Sequence, residues 1–182
     1  MAQTQTHFEL FELPVSFDLD LQDLSSRYRE LQRAVHPDRF ANASDRERRL
    51  SVEKAAIIND AYQILKSPQR RARYMLELQS VSFDDEKDMA VDPDFLMEQI
   101  ELREALAEVR ETNDPHAALN AIMTDIAQRI SKVLENIAEQ FKTEQLDDQQ
   151  KKSIKQLVHK MQFLNKLQQE AEFQEESLMD DI

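Results

Sequence analysis

The sequence predicts an all-α protein, and three observations carry that prediction. The 182 residues contain no glycine, cysteine or tryptophan, and tight hairpins and bulges lean on glycine. The good helix formers Ala, Leu, Glu, Gln, Arg and Lys dominate. Apolar side chains recur at three and four residues between breaks, and all five prolines fall at those breaks. The same absences exclude classes of function. Without glycine, a Walker loop or dinucleotide-binding turn cannot be built in its usual form. Without cysteine there is no disulfide, thiolate zinc site, cysteinyl iron–sulfur ligation or thiol nucleophile. No catalytic residue, metal or cofactor is therefore expected.

The elements follow in order. Phe8-Glu9-Leu10-Phe11-Glu12-Leu13 is a short apolar segment stopped by Pro14. After a cap at Asp20, Leu21, Leu24, Tyr28, Leu31 and Val35 line one face of a helix that Pro37 ends. Ser44-Asp45-Arg46-Glu47 fits a capping box and opens a helix with the stripe Leu50, Ile57, Ile58, Ala61, Ile64 and Leu65. After Pro68 a short basic helix runs through Arg70, Arg71, Arg73, Tyr74 and Leu78. Residues 80–92 are acidic without periodicity and read as a linker. Asp92-Pro93 and Asp114-Pro115 each place an Asp cap before a first-turn proline. Helices are predicted over about 93–111, 115–143 and 147–177. The middle one carries Leu119, Ile122, Met123, Ile126, Ile130, Val133, Leu134, Ile137 and Phe141, and the last carries Ile154, Leu157, Met161 and Leu164. Short turns between them predict an antiparallel three-helix bundle. The domains are thus expected at 1–79 and 93–182.

Charge separates the same two regions. The net charge is −13, and residues 1–80 carry none of it, with 12 basic and 12 acidic side chains. Residues 27–73 hold all 12 of those basic groups against 6 acidic ones, whereas residues 81–114 hold 3 basic against 12 acidic. Two modules with different partners are expected. Met1-Ala2-Gln3-Thr4-Gln5 has neither a basic start nor an apolar core, so no signal peptide is expected. No apolar run approaches the roughly 20 residues that span a bilayer. A soluble, cytoplasmic protein is expected.

The most informative residues are His36-Pro37-Asp38, between two helices. Proline there stops the first helix and leaves His36 and Asp38 as fixed, exposed polar groups. Taken alone, that is an ordinary helix terminator. In context, with Tyr28 to Val35 before it, Arg39-Phe40 after it, Ile58-Asn59-Asp60-Ala61-Tyr62-Gln63-Ile64-Leu65 in the next helix, and Ser67-Pro68 with Arg70-Arg71-Ala72-Arg73-Tyr74 at the close, residues 6–79 resemble a J-domain. The resemblance implies an antiparallel helical hairpin with short flanking helices, and docking onto a DnaK-type chaperone. It assigns Arg27, Arg29, Arg33, His36, Pro37, Asp38 and Arg39 to that docking surface. Glu30 and Ala34 stand where general-purpose J-domains are often basic, which implies a dedicated chaperone.

The helix from Pro93 has two apolar faces. At 100° per residue, Leu102, Leu106 and Val109 fall within about 40° of Phe95, whereas Leu96, Met97 and Ile100 fall at about 100°, 200° and 140°. Glu101, Glu104 and Glu108 border this second face, with Arg103 beside it. By pattern alone, either the last helix covers the patch or it is exposed. Phe163 lies off the last helix's stripe and is expected to extend an external surface. Phe95-Leu96-Met97-Glu98-Gln99-Ile100-Glu101-Leu102-Arg103-Glu104, following a J-domain and an acidic linker, is similar to HscB, a co-chaperone family of iron–sulfur cluster assembly. Gln162-Phe163-Leu164-Asn165-Lys166-Leu167 matches that family's final helix. The resemblance implies an IscU-like scaffold partner held by Leu96, Met97, Ile100, Glu101, Arg103, Glu104, Glu108 and Phe163, and an HscA-like chaperone as recipient. It implies stimulation of the chaperone's ATP hydrolysis, with ATP turnover and iron chemistry left to the partners. Eukaryotic relatives can carry a Cys-rich metal site, so the absence of cysteine favours a bacterial type. The tail Met1 to Thr6 takes no assigned role.

Rival readings fare less well. Ferritin-like di-iron sites use Glu-x-x-His, but His7, His36, His116 and His159 have Thr4, Arg33, Asn113 and Gln156 three residues earlier. The arginines near Arg46-Arg48-Arg49 and Arg70-Arg71-Arg73 raise nucleic-acid binding, which the net −13 opposes through phosphate repulsion. A J-domain protein with another client remains the serious alternative, because the turn identifies the chaperone class and only the second patch identifies the cargo. When no scaffold is present, Leu96, Met97 and Ile100 could also pair weakly with a second copy.

Overall fold

The computed structural model describes residues 5–40, 43–84, 93–143 and 145–180. Among these every regular element is helical. The chain divides into two compact units, Met1–Leu78 and Gln79–Ile182.

In the first unit, α1 (His7–Leu10) is a single turn closed by a reciprocal cap between Thr6 and Glu9. A helix this short is not stable alone. Phe8, Phe11 and Phe17 hold it down, all buried, in one core with Leu24, Ile58, Ala61, Leu65, Ala72, Met75 and Leu76. α2 (Leu21–Val35) starts where Asp20 accepts from the backbone N–H groups of Gln22 and Asp23. α3 (Asp45–Lys66) starts with the Ser44–Glu47 capping box, and the Ser44 hydrogen bonds hold the Glu47 carboxyl below its usual pKa. α4 (Pro68–Leu78) closes the unit. One of its basic residues is not at the surface: Arg71 is buried, donates to the Leu65 carbonyl at 2.6 Å and lies 5.0 Å from the Phe17 ring centre. Burial pushes the Arg71 pKa down, opposed by Asp18.

Three stripe assignments are corrected. Leu21, Leu50 and Ile57 carry the helical spacing of core residues but are exposed. The α2–α3 contact is made by Tyr28 stacked on Tyr62 at 4.0 Å, and by Gln32 and Ser51 hydrogen bonds. Those contacts set a seam that leaves the first residue of each stripe, Leu21 and Leu50, and the flanking Ile57 outside it.

In the second unit, α5 (Pro93–Ala107) is followed by a 3₁₀ turn at Val109–Glu111, so the helix expected to reach 111 breaks at Glu108. α6 (Pro115–Gln140) is capped by Asp114, which accepts from Ala117 N–H, and α7 (Asp148–Asp180) runs three residues further than predicted. The three pack around Leu102, Leu106, Val109, Leu119, Ile126, Val133, Ile137, Ile154, Val158, Met161, Leu164, Leu167 and Ala171. Gln140 bonds Ser153 across the α6–α7 turn, while Arg110 bonds Ser177, so the chain runs up, down and up. Within the expected linker, Phe83 lies over the bundle, its ring 5.7 Å from that of His159. Residues 85–92, including the Asp92 cap, fall outside the described residues.

Candidate functional site

The first surface is built at the end of α2. Ser51, 3% exposed, donates to the Val35 carbonyl at 2.6 Å and ties down the last turn of α2 from α3. The next residue, His36, is extended (φ −60°, ψ 132°), as a residue before proline must be. Pro37–Phe40 then form a 3₁₀ turn rather than an open loop. His36 Nδ1 accepts from the Asp38 N–H at 3.3 Å and lies 3.5 Å from the Asp38 carboxylate. The imidazole is thus oriented by its own turn and stays exposed, as does Asp38. Arg39 reaches back to the Arg33 carbonyl at 3.4 Å.

Tyr28, Arg29, Gln32, Arg33, His36 and Arg39 line one shallow groove. It gathers Arg29, Arg33, His36 and Arg39 from the expected set, and Pro37 and Asp38 belong to the turn that follows His36. Arg27 is not among them. Its guanidinium pairs with Asp23 at 3.0 Å and donates to the carbonyls of Phe11 and Glu12, which fastens the N-terminal segment to α2. The Asp23 hydrogen bond raises the Arg27 pKa, against desolvation, with Asp23, Glu12 and Glu30 adding to the rise. Gln32 and Ser51 were missed by sequence reading. Their signal was a polar residue on an otherwise inward face, which periodicity alone treats as noise.

The second surface is on α5. Leu96 and Met97 are each 58% exposed and Ile100 is 43% exposed. Glu101, Glu104 and Glu108 are exposed around them, so the last helix does not cover this face. Phe163 is corrected: it is buried, 7% exposed, with its ring edge-on to Phe95 at 5.8 Å and the Arg103 guanidinium 5.7 Å from its centre. It lies at the α5–α7 seam, because leaving the apolar stripe by one position puts a residue against the neighbouring helix as readily as against water.

Glu98, unremarked in the sequence, is the centre of this seam. Its carboxylate pairs with Arg129 of α6 and with Lys160 of α7. Burial lowers the Arg129 pKa, but hydrogen bonds to Glu98 and Asp125 outweigh this, and the net shift is upward. Among the described residues, no three His, Asp or Glu side chains converge as a metal site would require. Nor is any helix there long and apolar enough to cross a membrane. Both surfaces offer recognition: a cationic groove on one unit, an acid-rimmed apolar face on the other.

Comparison with known proteins agrees on both units. The DnaJ domain family model matches residues 7–74, and the model of the HSCB C-terminal oligomerisation domain matches residues 91–172. The chain is 45% identical over 172 residues to the co-chaperone protein HscB homolog of Vibrio vulnificus, covering 94% of this chain and 98% of that one. It is 41% identical over 176 residues to the homolog from Shewanella amazonensis, covering 96% and 99%. Among solved structures, chaperone HscB from Vibrio cholerae superposes with a TM-score of 0.85 at 42% identity, covering 95% of this chain and 99% of that one. Human co-chaperone protein HscB gives the same TM-score of 0.85 at 27% identity, covering 96% and 84%. With a J-domain turn, an acid-rimmed helical bundle and relatives matched almost end to end, this chain belongs to the HscB family of J-domain co-chaperones, which serve DnaK-type chaperones in iron–sulfur cluster assembly.

Proposed function

We propose that this chain binds an IscU-like iron–sulfur scaffold on α5 and delivers it to an HscA-like chaperone, whose ATP hydrolysis it stimulates. On this reading Leu96, Met97 and Ile100 are the apolar contact, Glu101, Arg103, Glu104 and Glu108 set its orientation, and Phe163 supports it from the α5–α7 seam. Arg29, Arg33, His36, Pro37, Asp38 and Arg39 meet the chaperone. The chain acts in the cytoplasm and catalyses nothing itself. It raises the effective concentration of scaffold at the chaperone, and ATP turnover belongs to the partner.

One observation supports this above the rest: three large apolar side chains stand outward on a helix whose opposite side already supplies the core. Leaving such a face in water is unfavourable unless a partner covers it. The test is the chaperone's ATPase rate with the scaffold, with this protein, and with both. Strong stimulation requiring both, abolished in His36→Gln and reduced in Met97→Ala, is the expected result. Stimulation indifferent to the scaffold would retain the chaperone surface and assign the α5 face to another client.

A further inference from the structure

The two halves of α5 are held by different means. Leu102 and Leu106 bury its C-terminal half. Among the described residues its first two turns bury no side chain as deeply: Leu96, Met97 and Ile100 point outward, and Phe95, edge-on to Phe163 of α7, is half-buried. Packing at one end of a helix does not prevent fraying at the other. From this half one carboxylate, that of Glu98, reaches both neighbouring helices, while Phe95 meets α7. The Glu98 side chain, 17% exposed, pairs with Arg129 and with Lys160. Each cation is held in turn: Arg129 by Asp125 at 2.9 Å, and Lys160 by its place 5.5 Å from the Phe95 ring centre.

We infer that Glu98, clamped between Arg129 and Lys160, is a positioning residue for scaffold capture: it fixes the first turns of α5 so that Leu96, Met97 and Ile100 are presented together. This rests on assigning the scaffold to that face. Half-buried, charge-assisted hydrogen bonds are the strong ones. Removing the carboxylate also leaves Arg129, Lys160 and Lys132 on a cleft whose remaining carboxylate is Asp125, already paired with Arg129, which opposes reclosure around Lys160. Glu98 touches no partner in this scheme. It sets the fraction of molecules whose patch is assembled, and apparent affinity falls in proportion to that fraction.

The experiment uses the full chain carrying Glu98→Gln, with amide hydrogen exchange and calorimetric titration of the apo scaffold protein. Expected are faster exchange confined to residues 95–101, unchanged exchange in the α6 core, and a dissociation constant raised about five- to tenfold. Stimulation of the chaperone without scaffold stays unchanged. If Glu98→Gln loosens the whole bundle, Lys160→Met removes one arm and leaves the Arg129 pair, with a rise of about two- to threefold expected. Unaltered exchange at 95–101, or unaltered affinity in a chain whose Leu96→Ala variant binds weakly, overturns the clamp. If Leu96→Ala itself leaves affinity unaltered, the scaffold sits elsewhere, and the assignment of the face falls together with the positioning role.

Discussion

Arg27 and Arg29 stand two residues apart on α2 and do different work. A composition count treats them alike, but about 200° of helix separates them. One meets the backbone of Phe11 and Glu12, while the other lines the groove beside His36. Arg27→Ala is therefore expected to lower the denaturation midpoint of the J-domain unit. Arg29→Ala is expected to leave that midpoint in place and slow association with the chaperone, with a deficit that shrinks as salt is added. Tyr28, Tyr62 and Tyr74 are the three tyrosines and all lie in this unit, and there is no tryptophan. Tyrosine fluorescence thus reports its unfolding alone. His7 supplies a second residue-scale test. Its ring stacks on Tyr74 at 4.3 Å, and desolvation lowers its pKa from 6.5, against the opposing charges of Asp60 and Glu77. A base whose folded pKa is depressed contributes stability above its unfolded pKa, and that contribution is lost as pH falls from there through the folded value. The midpoint followed by tyrosine fluorescence should drop below about pH 6.5, and His7→Phe should flatten that part of the profile. An identical profile in the variant would place the titrating group elsewhere.

Elements were most legible where their signal is local. Asp20, Ser44 and Asp114 cap as the sequence predicts, since a side chain bonding two or three residues ahead needs no tertiary partner. Stripes were legible only in part. Ile58, Ala61 and Leu65 are buried as their spacing requires, yet Leu50 and Ile57, at the same spacing, are exposed. Which arc of a helix is covered depends on its neighbour's crossing point, and Tyr28 and Ser51 fix that point through pairs far apart in sequence. For a related reason the sequence shows two apolar arcs on α5 but leaves open whether α7 covers the second, which in the structure is exposed. Glu98 and the burial of Phe163 were not legible, because both depend on which helices flank α5. The absence of glycine also has a backbone consequence. Glu12 (φ 54°) and Ser80 (φ 63°) occupy left-handed positions that glycine would otherwise fill. A β-branched residue fits that region poorly, so Glu12→Val should destabilise the J-domain unit by about 1–2 kcal/mol. Glu12→Gly should stay within about 1 kcal/mol of the parent, as backbone relief offsets the freer unfolded chain. Equal effects of the two changes would show that the side chain, and not the backbone, matters at residue 12.

At the scale of the whole molecule, the segregation of charge visible in the sequence becomes a division of labour. A cationic groove belongs to one unit and an acid-rimmed apolar face to the other, and both lie on one polypeptide. On the proposed reading neither surface is altered by the other's work. What the molecule adds is covalent connection, which turns the second encounter into an intramolecular one and raises local concentration to the order of millimolar for a short connection. Full-length chains alone test this coupling. His36→Gln spoils the chaperone surface and keeps α5 intact, whereas Leu96→Ala with Met97→Ala spoils α5 and keeps the groove. If connection is the source of coupling, an equimolar mixture of the two variants should fail to restore scaffold-dependent ATPase stimulation, although it contains one good copy of each surface. The single-site properties should persist: the first variant should still bind scaffold, and the second should still give the scaffold-independent part of the stimulation. Raising free scaffold toward millimolar concentration, with the Leu96→Ala, Met97→Ala protein alone in place of the mixture, should recover activity by mass action. Full complementation at micromolar concentration would mean that the two surfaces need not share a chain, and that their joining does something other than gather the partners.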